Sequence, residues 1–162
     1  MNAATQICFR AVEPLPLHHS WPLFERERRF DLGRLLDWPG AAFPATASPL
    51  ANEEELARLG IGRWECDLDG DRLTWSAGVY DLFGLPRGAP VRRDETVALY
   101  IEESRSGMER LRAYAIRHQR GFTFDAQIRP ASGGDARWMR LIAAPVCEGG
   151  RVTRLHGLKQ RL

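Results

Sequence analysis

The sequence predicts an α+β domain: a five-stranded antiparallel sheet with helices packed on one face, preceded by an N-terminal extension. Two strand-like runs flank an Asp-Gly turn inside Gly60 to Pro86, helical spacing of apolar residues occupies the middle of the chain, and residues 122–158 alternate apolar and polar side chains between Gly-rich turns. Strands, then helices, then strands is the order of a fold whose helices gather on one side of an antiparallel sheet. With 162 residues, 44% hydrophobic and 27% charged, the chain suits one globular domain, assigned to residues 51–162, and an extension over residues 1–50.

Asn52 is placed to cap a short helix whose first turn holds Glu53, Glu54 and Glu55, where carboxylates favour the positive end of the dipole, and Gly60 stops it. Ile61 to Leu68 reads as a strand, Asp69-Gly70-Asp71 as a tight turn that tolerates positive φ, and Arg72 to Trp75 as the returning strand. Ser76 is a candidate N-cap for a helix carrying Val79, Tyr80, Leu82 and Phe83, closed by Gly84 and Pro86. A second short helix is expected over Glu95 to Ile101. A longer one is expected from Ser104 to Gln119, with Met108, Leu111, Tyr114 and Ala115 at near-helical spacing.

Phe122, Phe124, Ala126 and Ile128 alternate with Thr123, Asp125, Gln127 and Arg129, the period of a half-buried strand. Pro130 to Asp135 is turn chemistry, Arg137 to Val146 the next strand, and Glu148-Gly149-Gly150 the turn into a last strand over Val152 to Leu158. The extension differs from all this. It holds Pro14, Pro16, Pro22, Pro39, Pro44 and Pro49, yet Trp21, Phe24, Phe30, Leu35, Leu36 and Trp38 are too apolar for a solvated tail. One or two short helices between Pro22 and Trp38 would be stable only by docking onto something.

Composition excludes several classes. The mean hydropathy of −0.36 and the lack of a long apolar run argue against membrane insertion. No basic start followed by an apolar block marks a signal peptide, so a cytoplasmic protein is expected. Cys8, Cys66 and Cys147 show no CxxC spacing and read as free thiols of a reducing compartment. The formal net charge of +2 does not call for nucleic acid, and the basic residues are nearly all arginine, with Lys159 the only lysine, which reads as a compositional bias.

Gly62-Arg63-Trp64-Glu65-Cys66-Asp67-Leu68 resembles the G-x-W-x-x-D-L opening strand of the PAS subfamily common in bacterial sensor kinases and cyclases. Leu73-Thr74-Trp75-Ser76 is similar to that subfamily's second strand and cap, and Val79-Tyr80-Asp81-Leu82-Phe83-Gly84-Leu85 to its first helix and turn. Phe124 to Arg129, Gly134 to Trp138 and Val152 to Gln160 resemble its third strand, its next hairpin and its final strand. The likeness covers about Gly60 to Gln160. The chain departs from it at Ile101-Glu102-Glu103, where the family has His-Pro, with Ser104 expected to take the capping role. It also departs at Gln160-Arg161-Leu162, where the family runs from Asp-Ile-Thr into an output helix.

The resemblance implies a sensory or interaction module rather than an enzyme, so no catalytic residue is assigned. It points to a stand-alone bacterial regulator, of the kind found in two-component systems, that works by contact with a sensor kinase, another signalling protein or itself as a homodimer. The expected interaction surface combines Trp21, Phe24, Phe30 and Trp38 with Trp138, Met139, Leu141 and Ile142. In the Arg137 to Val146 strand, Trp138 and Ile142 fall on one face and Met139, Leu141 and Ala143 on the other. The face away from the helices therefore needs a cover.

The alternative reading is a small-molecule or cofactor sensor. In this fold the cavity lies between helices and sheet, with Val79, Phe83, Leu99, Met108, Leu111, Phe124 and Ile128 as candidate linings. No polar anchor inside it is identified. The flavin motif Asn-Cys-Arg-Phe is not found, Cys66 lies in the first strand, and His118 at a helix end reads as a partner for the last carbonyls rather than a haem ligand, so no cofactor is assigned. Glu65, Asp67, Asp69 and Asp71 lack the twelfth-position glutamate of a calcium loop, and His18-His19 has no further ligand at a metal spacing, so no metal is expected either. Arg105, Arg110, Arg112, Arg117 and Arg120 read as a solvated basic helix face or a patch for an acidic partner.

Overall fold

Glycines set the two ends of the first helix-to-strand passage. Gly60, at φ 73°, ends a helix and turns the chain into the sheet, and Gly62 and Gly78 let a helix start lie directly on a strand. The computed structural model describes residues 51–162. In chain order the elements are α1 (Ala51–Arg58), β1 (Ile61–Asp67), β2 (Arg72–Trp75), α2 (Ala77–Phe83), α3 (Arg93–Val97), α4 (Glu102–His118), β3 (Phe122–Ile128), β4 (Arg137–Glu148) and β5 (Arg151–Arg161). The strands form one five-stranded sheet in the order β2-β1-β5-β4-β3, every neighbouring pair antiparallel. The last strand in sequence is thus the middle strand in space. Among the described residues no helix is long and apolar enough to cross a membrane.

The register fixes which side chains meet the helices. Trp64 lies opposite Trp75 on one side and Gly157 on the other, Gly157 opposite Ala143, and Ala143 opposite Phe122. Strand alternation then sends Cys66, Leu155, Lys159, Leu141, Met139, Phe124 and Ile128 to the same side. There all but Lys159 join Val79 and Phe83 of α2 and Met108, Leu111 and Ala115 of α4 in the main apolar core.

The opposite face carries Arg63, Glu65, Asp67, Asp125 and Arg140, with Arg140 bonded to Asp125 across the β3–β4 pair. It is not wholly polar. Ile61, Ile142 and Leu158 sit on it and form a second apolar cluster with Leu56 of α1. Trp138 shares this face and is half exposed, and the backbone N–H of Leu162 donates to its carbonyl.

Several local expectations shift. The short helix spans Arg93–Val97 rather than Glu95 to Ile101, with Asp94 and Glu95 in its first turn. It stops because Leu99 to Ile101 pair instead with the end of β3. Tyr100 bridges Ile128, Ile101 donates to the Gln127 carbonyl, and Arg129 donates to that of Leu99. Ser104 does not cap α4, which starts at Glu102; its hydroxyl accepts from the Gln127 N–H at 2.8 Å and ties the helix to β3. Ser76 does occupy the N-cap position of α2, but its hydroxyl accepts from the Arg63 N–H of β1 at 2.8 Å rather than from its own helix. Both serines spend their side chains on tertiary contacts.

A Cβ on Gly62 would lie 2.3 Å from the Val79 nitrogen, and one on Gly78 would lie 2.0 Å from the Ile61 carbonyl oxygen. Both obstacles are backbone, so neither can rotate aside. Gly78→Ala is expected to destabilise the protein by about 3 kcal/mol, the upper end of overpacking costs, with chemical denaturation as the readout.

Candidate functional site

Position 159 points into the core by strand geometry, two residues beyond Gly157 on the inner face of β5. The lone lysine of the chain is therefore buried, at 7% exposure, between the sheet and the helices. Its Nζ lies 4.5 Å from the ring centroid of Phe83, 5.4 Å from that of Trp75, 5.5 Å from that of Trp64 and 5.6 Å from that of Tyr100. These rings brace one another: Trp75 stacks on Phe83 at 4.9 Å, Tyr80 meets Trp75 edge-on at 5.5 Å, and Phe83 tilts against Tyr100 at 5.8 Å. Trp64 is fixed by its indole N–H, which donates to the Ile142 carbonyl at 3.2 Å.

The amine donates one hydrogen bond, to the Tyr100 hydroxyl at 3.1 Å. Among the described residues no carboxylate pairs with it. Glu109 is taken by Arg93, and Asp71 by Arg112. Burial pushes the Lys159 ammonium down from 10.5 to about 7; a charged Cys66 thiolate would oppose the drop, and the Arg93 charge adds to it. Aromatic faces favour the protonated form, so the cage keeps the ammonium accessible where burial alone would expel its proton. Burial likewise pushes the Tyr100 phenol and the Cys66 thiol above their ordinary values.

A cavity of about 50 Å³ adjoins this amine. Trp64, Trp75, Tyr100 and Lys159 form its polar and aromatic end, Met108, Phe122, Leu141 and Leu155 its apolar walls, and Arg93 and Arg112 also line it. The Trp75 Nε1–H is buried without a hydrogen-bond partner, an uncommon state for an indole donor.

The seven residues expected to line a cavity fare unevenly. Met108 does line it, and Phe83 supplies a face of the cage. Val79, Leu111, Phe124 and Ile128 are core packing, with Leu99 against its edge, and none of the five touches the cavity. The void sits further toward β1, β2 and α3 than the expectation placed it. Alternation from Leu155 through Gly157, together with the uniqueness of the lysine, was the signal available for Lys159. Arg112, grouped with a solvated helix face, is instead turned inward to the cavity.

The proposed interaction residues divide as well. Met139 and Leu141 are corrected: at 0% and 3% exposure they are core, because they share the inner face with Lys159. Ile142 is on the other face but buried in the Leu56 cluster, which leaves Trp138 accessible at 50%. Trp21, Phe24, Phe30 and Trp38 lie outside the described residues, as do Cys8 and His18-His19. His118 packs on the Tyr114 ring at 4.1 Å and does not reach the cavity. No group of three or more potential metal ligands occurs among the described residues.

A buried amine of lowered pKa makes stability pH-dependent. Between about 7 and 10.5 the unfolded chain holds a proton on Lys159 that the folded chain lacks, so this group favours folding as pH rises through that window. Cys66 and Tyr100, raised from 9.0 and 10.0, act in the opposite sense above those values. The thermal midpoint should therefore rise from pH 7 to pH 9. Lys159→Met should be more stable than the parent at pH 7 and should lose that rise.

No protein-family model and no curated protein sequence matches the chain. Solved structures do. The N-terminal domain of a Marinobacter aquaeolei diguanylate cyclase with a PAS/PAC sensor aligns with a TM-score of 0.57 and 14% identity, covering 62% of this chain and 94% of that one. A sensory box histidine kinase/response regulator from Burkholderia thailandensis gives 0.57 and 15%, covering 68% and 82%. An RNA-binding light-oxygen-voltage receptor gives 0.56 and 14%, covering 63% of this chain, which spans only 29% of the receptor. Identities at this level speak for architecture alone. With the strand order and helix placement described above, they show that the described part of the chain has the PAS fold.

Proposed function

We propose that this domain is a sensory module of a signalling system that reads a small molecule in the Lys159 cavity and transmits its presence to a protein partner through the sheet. The observation that carries this reading is a buried amine with no carboxylate partner among the described residues, beside a void and an unpartnered indole donor. A core built for stability alone has no use for it, since burying an unpaired charge or an idle donor costs free energy. Perturbed groups facing a cavity are the mark of a binding site.

The path outward is short. Lys159 and Leu158 are adjacent on β5 and face opposite sides of the sheet. Leu158 packs with Ile142, Ile61 and Leu56, so a shift of β5 at the cavity reaches α1 in one residue step. The response would be a population shift between two arrangements of α1 on the sheet, biased by whatever occupies the cavity. Protein contact, by homodimer or by another signalling protein, is then the output, and half-exposed Trp138 beside exposed Leu162 favours that end of β4 and β5 as its place.

A ligand-observed NMR screen of small neutral, anionic and cationic compounds against the full chain tests the reading. Binders should shift the Trp75 indole resonance together with backbone amides of Leu158 and Leu56. Shifts confined to the cavity would remove the transmission step, and a screen without any cavity binder would leave protein contact as the sole function.

A further inference from the structure

The side chains around the cavity offer more hydrogens than lone pairs. Of the lining residues, Lys159 as its ammonium, Trp75, Arg93 and Arg112 carry donors only. The Thr96 hydroxyl has spent its proton on the Arg93 carbonyl, whereas the Tyr100 hydroxyl, which accepts from Lys159, keeps its own proton to give. The balance favours a ligand that is an acceptor.

Charge narrows it further. Two guanidiniums and one amine line the void, the two guanidiniums are paired to Glu109 and Asp71, and the amine has no carboxylate among the described residues. A cation would meet an ammonium that no carboxylate offsets, whereas an anion supplies the counter-charge the amine lacks. Size and wall chemistry complete the description. About 50 Å³ admits a ligand of only a few non-hydrogen atoms, and Met108, Phe122, Leu141 and Leu155 suit an alkyl group rather than a second polar head.

We propose that the cavity binds a short-chain monocarboxylate, its carboxylate held by the Lys159 ammonium and the Trp75 indole N–H, its alkyl end against the apolar walls. This rests on the reading of the cavity as a ligand site and names the class of ligand. Binding of the anion fixes the proton on Lys159, so the complex takes up a proton when formed above about pH 7. The groups facing the amine that share in this titration are Tyr100 from the segment before α4, Cys66 of β1, Arg93 of α3 and Arg112 of α4.

The test is titration of the full chain with propionate and, separately, with its neutral isostere propionamide, followed by the Trp75 indole signal and by calorimetry in buffers of different ionisation enthalpy. The indole signal is assigned by its loss in Trp75→Phe. Propionate should bind at least about tenfold more tightly than propionamide, with proton uptake at pH 8. Its affinity should fall toward tenfold per pH unit above that and be lost in Lys159→Met. Trp75→Phe, which keeps the ring bulk, should weaken binding by about tenfold, so the assignment does not depend on one variant folding. Equal or tighter binding of propionamide would overturn the carboxylate class while leaving the cavity a ligand site. Propionate binding that survives Lys159→Met would place the anion elsewhere, against the proposal, and the failure of both probes to move the indole signal would count against the site itself.

Discussion

The constraint on which the rest of the structure turns is the burial of one amine on the central strand. β5 lies between β1 and β4, so its inner face is covered by helices along most of its length and any polar residue there must be accommodated rather than solvated. Lys159 is accommodated by four aromatic faces and one hydroxyl. That arrangement dictates much of its surroundings. Trp64 and Trp75 come from the two strands of the first hairpin, Phe83 from α2, and Tyr100 from the segment that leaves α3 to bridge β3. The cage thus draws on the first hairpin, on α2 and on the segment between α3 and α4.

Why lysine rather than arginine, in a chain that otherwise uses arginine, follows from the same constraint. A guanidinium stays charged at any ordinary pH and presents a planar fork of donors, which one hydroxyl cannot satisfy. An amine is compact, fits among rings, and can shed its proton when burial demands it. The position needs a group whose charge is negotiable near neutral pH. The compositional reading of the lone lysine missed this because it counted residue types without asking which strand face each one occupied.

The architecture was legible in advance because its determinants are local. Asp69-Gly70-Asp71, the Gly84 stop with its left-handed backbone, and the alternation from Phe122 to Ile128 each specify their own element. What was not legible depends on contacts between distant segments. Ser76 and Ser104 look like helix caps because capping is the local use of a serine, yet both bond to strands far away in sequence. The candidate cavity was placed among Val79, Leu111, Phe124 and Ile128 because apolar residues at core spacing cannot be sorted into those that close a core and those that line a gap in it. Polar anchors would have sorted them, and Lys159, Trp75 and Tyr100 are the anchors present.

The reading of the cavity turns on Lys159 titrating near neutral pH inside the folded core. A single lysine gives a direct measurement, since protein labelled with ¹³C on lysine alone has one side-chain Cε signal to follow across pH. The expected midpoint is close to 7 in the folded protein and close to 10.5 after denaturation. A folded-state midpoint near 10.5 would mean that the amine reaches solvent or a hidden carboxylate, and would contradict that reading.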